Sequence, residues 1–235
     1  MRANEVPSTN PAVANALRRE VRRALPSTKR RTHSALLMLS GGLDSVALLA
    51  NVLAETDQRL HVHHIEIQNF EDRRDVENQA LEGILAYLRQ HYRPFSYSTS
   101  TSEFPLGKGG GYDLTLVLFT AARVHTALAS VVDIVYTGHI APNRPEILEG
   151  SGVFNACYIN KRFKPVWLWP LARLKKIDIY ESIPRELADL TWSCRKPVRE
   201  GDAFLPCGTC HACRSRDEVD RLLAGRELGS YRASA

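Results

Sequence analysis

Six residues, Ser40-Gly41-Gly42-Leu43-Asp44-Ser45, follow directly on the apolar run Ala35-Leu36-Leu37-Met38-Leu39. Two glycines let backbone N–H groups approach an anion, and two serines add hydroxyl donors. A helix starting here would turn its own N-terminal N–H groups and positive dipole end to the same point. The chemistry these residues suit is the holding of a phosphate group. The segment has neither the GxxxxGK[ST] spacing of a Walker A loop nor GxGxxG. The bland alternative is a tight strand-to-helix turn capped by Ser or Asp.

A second group lies near the other end. Cys194, Cys207, Cys210 and Cys213 stand at C-x12-C-x2-C-x2-C spacing, and Cys157 stands alone. Four thiolates at this spacing suit one tetrahedral zinc ion, which would be structural because no coordination position stays open. An iron–sulfur cluster is the main rival. His211 lies inside the trio, and a solvent-facing ring is expected for it.

The elements that must position these groups follow from periodicity. Apolar or β-branched runs at 35–39, 60–67, 95–99, 133–137 and 166–168 read as strands. Helical patterns cover Pro11 to Leu25, 46–54, 72–91, 113–130 and the segment around Lys175-Lys176. Strands alternating with helices of this length imply an α/β fold, a parallel sheet with helices on both faces. A small C-terminal four-cysteine segment is added to it. In such sheets ligands bind outside the carboxyl ends of the strands. SGGLDS, the end of HVHHIEI and YTGHI should therefore share one crevice. Three units are expected: a basic helical extension over 1–33, the α/β domain over 34–190, and a zinc-binding segment with a helix over 191–235.

With 235 residues, 44% of them hydrophobic, the chain reads as folded and not disordered. No apolar stretch is long enough to span a bilayer, and MRANEVPSTN lacks the apolar core of a secretory signal. A cytoplasmic protein is expected, and grouped cysteines there bind metal more often than they form disulfides. Much of the net charge of +5 comes from the first 35 residues. A solvated surface is the favoured reading there, and a nucleic-acid or acidic protein partner the sharper one.

SGGLDS resembles the pyrophosphate loop of the ATP pyrophosphatase, or PP-loop, superfamily. Together with Trp192-Ser193-Cys194 and Cys207-Gly208-x-Cys210-x-x-Cys213, it is similar to the 7-cyano-7-deazaguanine synthase family of queuosine biosynthesis. Arg144-Pro145-Glu146 matches that family's RPEF region in part, and Pro170-Leu171 with Lys176 matches its P-L-x4-K element. The resemblance covers most of the chain from about Ser34 to Arg216. It implies a carbon–nitrogen ligase with three inorganic or nucleotide groups: ATP, Mg²⁺ and one structural Zn²⁺. Ser40, Gly41, Gly42, Asp44 and Ser45 would hold the leaving pyrophosphate, with Leu39 and Leu43 completing the loop. His64 and Ile65 would lie beside the adenine, and Gly138 would line the same site. Lys108, Arg144 and Lys176 would supply positive charge, and Glu146 could read a guanine-like edge.

The implied reaction joins ammonia to 7-carboxy-7-deazaguanine through an acyl adenylate and dehydrates the amide to the nitrile with a second ATP. The chain departs from the family after the second strand, where IQNFEDRRDVE replaces Y-G-Q-x-H and Arg74 falls near the place of that His. GKGGGYD stands where the family has P-G-R-N. Three alternatives follow: chemistry that stops at the amide or uses another amine, a tRNA thiolation enzyme of the same superfamily, and a non-catalytic zinc-containing nucleic-acid module. The deazapurine acid and ammonia are the expected partners, no membrane is expected, and a homodimer is left open.

Overall fold

The computed structural model describes residues 11–24, 33–69, 71–103, 113–128, 132–140, 144–159 and 164–233. The first strand, β1 (Ser34–Leu39), is buried along its whole length. Its alternate residues serve two layers. Ala35, Leu37 and Leu39 face one core cluster, and Leu36 and Met38 face the other. Burial on both faces is why the strand is an unbroken apolar run and not an alternating one.

β1 is the centre of a five-stranded sheet of order β3-β2-β1-β4-β5. The other strands are β2 (Arg59–Gln68), β3 (Ser96–Glu103), β4 (Ile134–Thr137) and β5 (Val166–Leu168), and every pairing is parallel. α2 (Leu43–Glu55) and α3 (Arg74–His91) cover one face; α4 (Asp113–Ala127) and α5 (Arg144–Ala156) cover the other. α1 (Pro11–Ala24) packs on the α2 side, with Val13 and Leu17 fully buried. Two short helices, α6 (Lys176–Tyr180) and α7 (Arg185–Asp189), join that layer. The chain then forms an antiparallel hairpin of β6 (Val198–Glu200) and β7 (Ala203–Leu205) and ends in α8 (His211–Ala233), whose Val219 reaches the same core.

Several elements differ from the sequence expectation: α7 and the β6–β7 hairpin were not anticipated, and β3 and α5 differ as follows. β3 runs to Glu103, well past Thr99, because it pairs with β2 along eight residues. Its SYSTSTSE sequence is that of a half-exposed edge strand, and polar edge strands carry little periodic apolar signal. α5 was not anticipated, and it contains two glycines that lower helix propensity. Gly150 is required by packing, since a Cβ there would sit 2.6 Å from Leu118 Cδ1 of α4.

The order places β2 on one side of β1 and β4 on the other, so the chain reverses its winding at β1. In-register pairing sets Leu39 opposite His64 and Met38 opposite Thr137. The segments that follow these strands emerge at one edge of the sheet. Among the described residues no helix is long and apolar enough to cross a membrane.

Candidate active site and four-cysteine centre

The turn from β1 into α2 is built from its own polar groups. Ser45 Oγ accepts the Ser40 N–H (3.1 Å), lies 3.0 Å from Ser40 Oγ and donates to the Gly42 carbonyl (3.1 Å). Gly41 has φ 78°, a left-handed conformation that glycine adopts without Cβ strain. Gly42 begins the helix with no side-chain cap. Lys176 Nζ, at the start of α6, donates to Asp44 Oδ1 at 2.5 Å. Gly138, just after β4, presses on the same turn. A Cβ there would sit 2.5 Å from Ser45 Cα and 2.7 Å from the Asp44 carbonyl oxygen.

The four-cysteine segment closes on this loop. The Trp192 N–H donates to the Gly41 carbonyl (3.0 Å), and Ser193 Oγ accepts the Leu43 N–H (3.4 Å). The next residue is Cys194. Its Sγ and those of Cys207, Cys210 and Cys213 all lie within 4.8 Å of one another, a group able to hold a metal ion. Cys213 Sγ is 3.6 Å from that of Cys210 and 4.0 Å from that of Cys207. The β6–β7 hairpin fills the long Cys194–Cys207 interval, and backbone N–H groups of Lys196, Cys207, Cys210 and Cys213 point at cysteine sulfurs. His211 is exposed and stands outside this cluster.

Two adjoining cavities open at the sheet edge. The smaller, about 240 Å³, has an apolar floor that includes Met38, Ile65, Ile67 and Val117. The larger, about 680 Å³, runs over Asp44 and Lys176 to Trp192 and His211. Ser40, Ser45, Gly138 and His139 line both. His139 lies beside the paired rings of Trp167 and Trp169, and its Nδ1 is 3.1 Å from Thr137 Oγ1, which accepts the Trp167 Nε1–H at 2.8 Å. Burial pushes its pKa down to about 4, with Asp44 opposing, so the ring is neutral at pH 7.

A ring of charge stands where the cavities meet. Arg73 Nε is 2.9 Å from Glu71 Oε2, without hydrogen-bond alignment, and Arg73 Nη2 donates to Asp113. Arg195 closes the ring, with Nε on Glu71 (2.9 Å) and Nη2 on Asp113 (3.0 Å). Glu77 hangs from it through Arg73 Nη1 at 3.1 Å. Burial pushes the Glu77 pKa up to about 7, against the pull of Arg73. Asp72, between Glu71 and Arg73, takes a left-handed φ of 47° that aspartate tolerates better than most residues.

The structure therefore brings together Leu39, Ser40, Ser45, Ile65 and Gly138 around the smaller cavity, and Gly42, Leu43, Asp44 and Lys176 around the larger. His64 is turned away: it is buried, with Nδ1 2.8 Å from the Leu39 carbonyl and Nε2 3.2 Å from Asn78 Oδ1. Lys108 lies outside the described residues. Arg144 begins α5, but its side chain and that of Glu146 also lie outside them. Arg74 faces outward on Asp75 and Gln68, and its neighbour Arg73 is the residue that reaches the crevice. Sequence reasoning missed Arg73, Glu77, Asp113, Arg195 and His139. The traces were the charged run EDRRDVE directly after a strand and, for His139, its place inside YTGHI.

No family profile matches the chain, and no curated protein matches it in sequence. Among solved structures, the U34-tRNA thiolase NcsA from Methanococcus maripaludis, with its [4Fe-4S] cluster, aligns at a TM-score of 0.50 and 12% identity. The alignment covers 92% of this chain and 74% of the thiolase. The two share a fold, a parallel sheet with helices on both faces. At that identity the likeness is one of architecture alone.

Proposed function

We propose that the chain uses ATP to adenylate the carboxyl group of a small planar heterocycle, releases pyrophosphate, and passes the acyl group to a nitrogen nucleophile. 7-carboxy-7-deazaguanine and ammonia are the first candidates, with the nitrile formed from the amide by a second ATP. One observation carries this reading. Trp192 and Ser193, immediately before Cys194, hydrogen-bond to the Gly41–Leu43 loop, so the two segments that resemble the synthase family form one site.

The geometry supports the following roles. The loop N–H groups and the Ser40 and Ser45 hydroxyls would hold the leaving pyrophosphate, exchanging their internal bonds to Ser45 Oγ, Ser193 Oγ and the Gly42 carbonyl for phosphate oxygens, and Lys176 would supply charge beside it. Asp44 offers one carboxylate next to the loop, which fits a Mg²⁺ ion bound mainly through substrate phosphates. Such an ion would neutralise charge on the leaving group. The apolar floor of the smaller cavity suits a flat ring. Lys108 and Arg144 remain proposed sources of charge for the acid.

A single zinc ion is proposed for the four cysteines. With Zn–S bonds of about 2.3 Å, a tetrahedron sets its sulfurs about 3.8 Å apart. The 3.6 and 4.0 Å separations bracket that value. A cubane cluster binds each thiolate to a different iron and so holds them much farther apart.

The second reading is sulfur transfer to tRNA, favoured by the shared fold with the thiolase. It needs a sulfur carrier. Cys157, the remaining cysteine, packs against the α4–α5 core and lines neither cavity. Incubation with ATP, 7-carboxy-7-deazaguanine and ammonium, followed by mass spectrometry, should give a product lighter than the acid. A parallel incubation with tRNA and sulfide that yields thiouridine, with no change in the acid, would favour the thiolase reading instead.

A further inference from the structure

The carboxylates of the crevice are not equivalent. Glu71 and Asp113 each bridge two arginines. Glu77 has one cationic partner, Arg73, and is 6% exposed while lining both cavities. The backbone beneath it lies against the phosphate loop, since a Cβ on Gly41 would come 3.6 Å from the Glu77 carbonyl oxygen. Charged or titratable groups from several segments surround it. Glu71 and Arg73 come from the turn before α3, Asp113 from α4, and Arg195 from the cysteine segment. His63 of β2 and His139, two residues past β4, line the smaller cavity, and burial lowers the pKa of each to about 4. Among these carboxylates, Glu77 alone combines a free approach from both cavities with weak ionic compensation.

We propose that Glu77 is the general base of the second half-reaction, taking the proton from the nitrogen nucleophile as it attacks the acyl adenylate. This rests on the adenylation reading above. The nitrogen lone pair forms the C–N bond, and one N–H proton passes to the Glu77 carboxylate. The C–O bond to AMP breaks, AMP leaves with its electron pair, and the carboxyl returns the proton to solvent. A base whose pKa lies near the working pH is suited to this transfer, and burial has moved Glu77 up to about 7.

The test separates the two half-reactions. Wild type and Glu77→Gln are given ATP and 7-carboxy-7-deazaguanine. Exchange of labelled pyrophosphate into ATP reads adenylation, and amide formation with ammonium chloride reads the transfer. The ratio of amide formation to exchange should fall about a hundredfold in the variant. Glu77→Asp should recover part of that ratio. At fixed free ammonia, the wild-type transfer rate should rise with pH through about 7, and Glu77→Gln should lack that limb. An unaltered ratio, a proportional fall in both rates, or a wild-type profile without the limb overturns the proposal. Absence of exchange in the wild type defeats the adenylation reading itself, and this one with it.

Discussion

The two walls of the crevice are built differently. The Ser40–Ser45 wall works through backbone: a left-handed Gly41, an uncapped helix start and a glycine pressed on it from β4. The opposite wall works through side chains, with Glu71, Arg73, Glu77, Asp113 and Arg195 converging from three separate stretches of chain. A backbone site demands particular residues at adjacent positions, so it leaves a motif. A side-chain site demands only that charges meet in space. The four-cysteine segment joins the two, because Trp192 and Ser193 hold the loop, Arg195 holds the ring, and Cys194 lies between them.

That junction gives the largest expected effect. Removing the metal with a chelator, or substituting Cys213→Ser, should destabilise the protein by on the order of 5 kcal/mol, because site formation and folding are one process. Both walls should loosen together. Thermal melting with elemental analysis checks this, and the expected content is one zinc per chain. Iron, or unaltered melting after the metal is stripped, would separate the segment from the crevice.

The backbone wall is tested by Gly138→Ala. The new Cβ would meet Ser45 Cα at 2.5 Å and the Asp44 carbonyl oxygen at 2.7 Å, and neither backbone atom can yield without moving the loop. A displacement of this kind should cost about a hundredfold in ATP turnover. Full turnover in a folded variant would mean that the loop needs no support from β4.

How much of this was legible follows the same division. β1 and β4 were readable because strands buried on both faces are apolar runs, β2 because its β-branched residues alternate, and β5 as a short apolar run. The strand-to-helix turn and the cysteine cluster were readable from residue types and spacing, and Gly138 from its place at a strand end. β3 hid because an edge strand of serines and threonines looks like a loop, and α5 because its glycines serve close packing on Leu118. His64 was expected at the nucleotide, yet its side chain is spent on Leu39 and Asn78. The charged wall was nearly invisible. A one-residue difference separates Arg74, which faces outward, from Arg73, which anchors three carboxylates.

The smallest effect concerns that wall and its pH dependence. Glu77 has a pKa near 7 in the folded chain against an ordinary value of 4.5. The folded state therefore binds this proton more tightly than the unfolded state does. The resulting stability is fully present below about 4.5 and is lost as pH rises through about 7. Glu77→Gln should remove this loss, so the variant should gain on wild type by about 2 kcal/mol between pH 5 and pH 8. Urea denaturation at the two pH values reads the difference. A constant gap would place Glu77 among ordinary, fully compensated ion pairs, and the contrast between the walls would weaken.

Everything rests on the Ser40–Ser45 loop holding pyrophosphate, and the most direct measurement is where ATP is cut. Phosphorus NMR of a reaction with ATP, magnesium, 7-carboxy-7-deazaguanine and ammonium should show AMP and pyrophosphate accumulating together. ADP and inorganic phosphate as the nucleotide products would contradict the account.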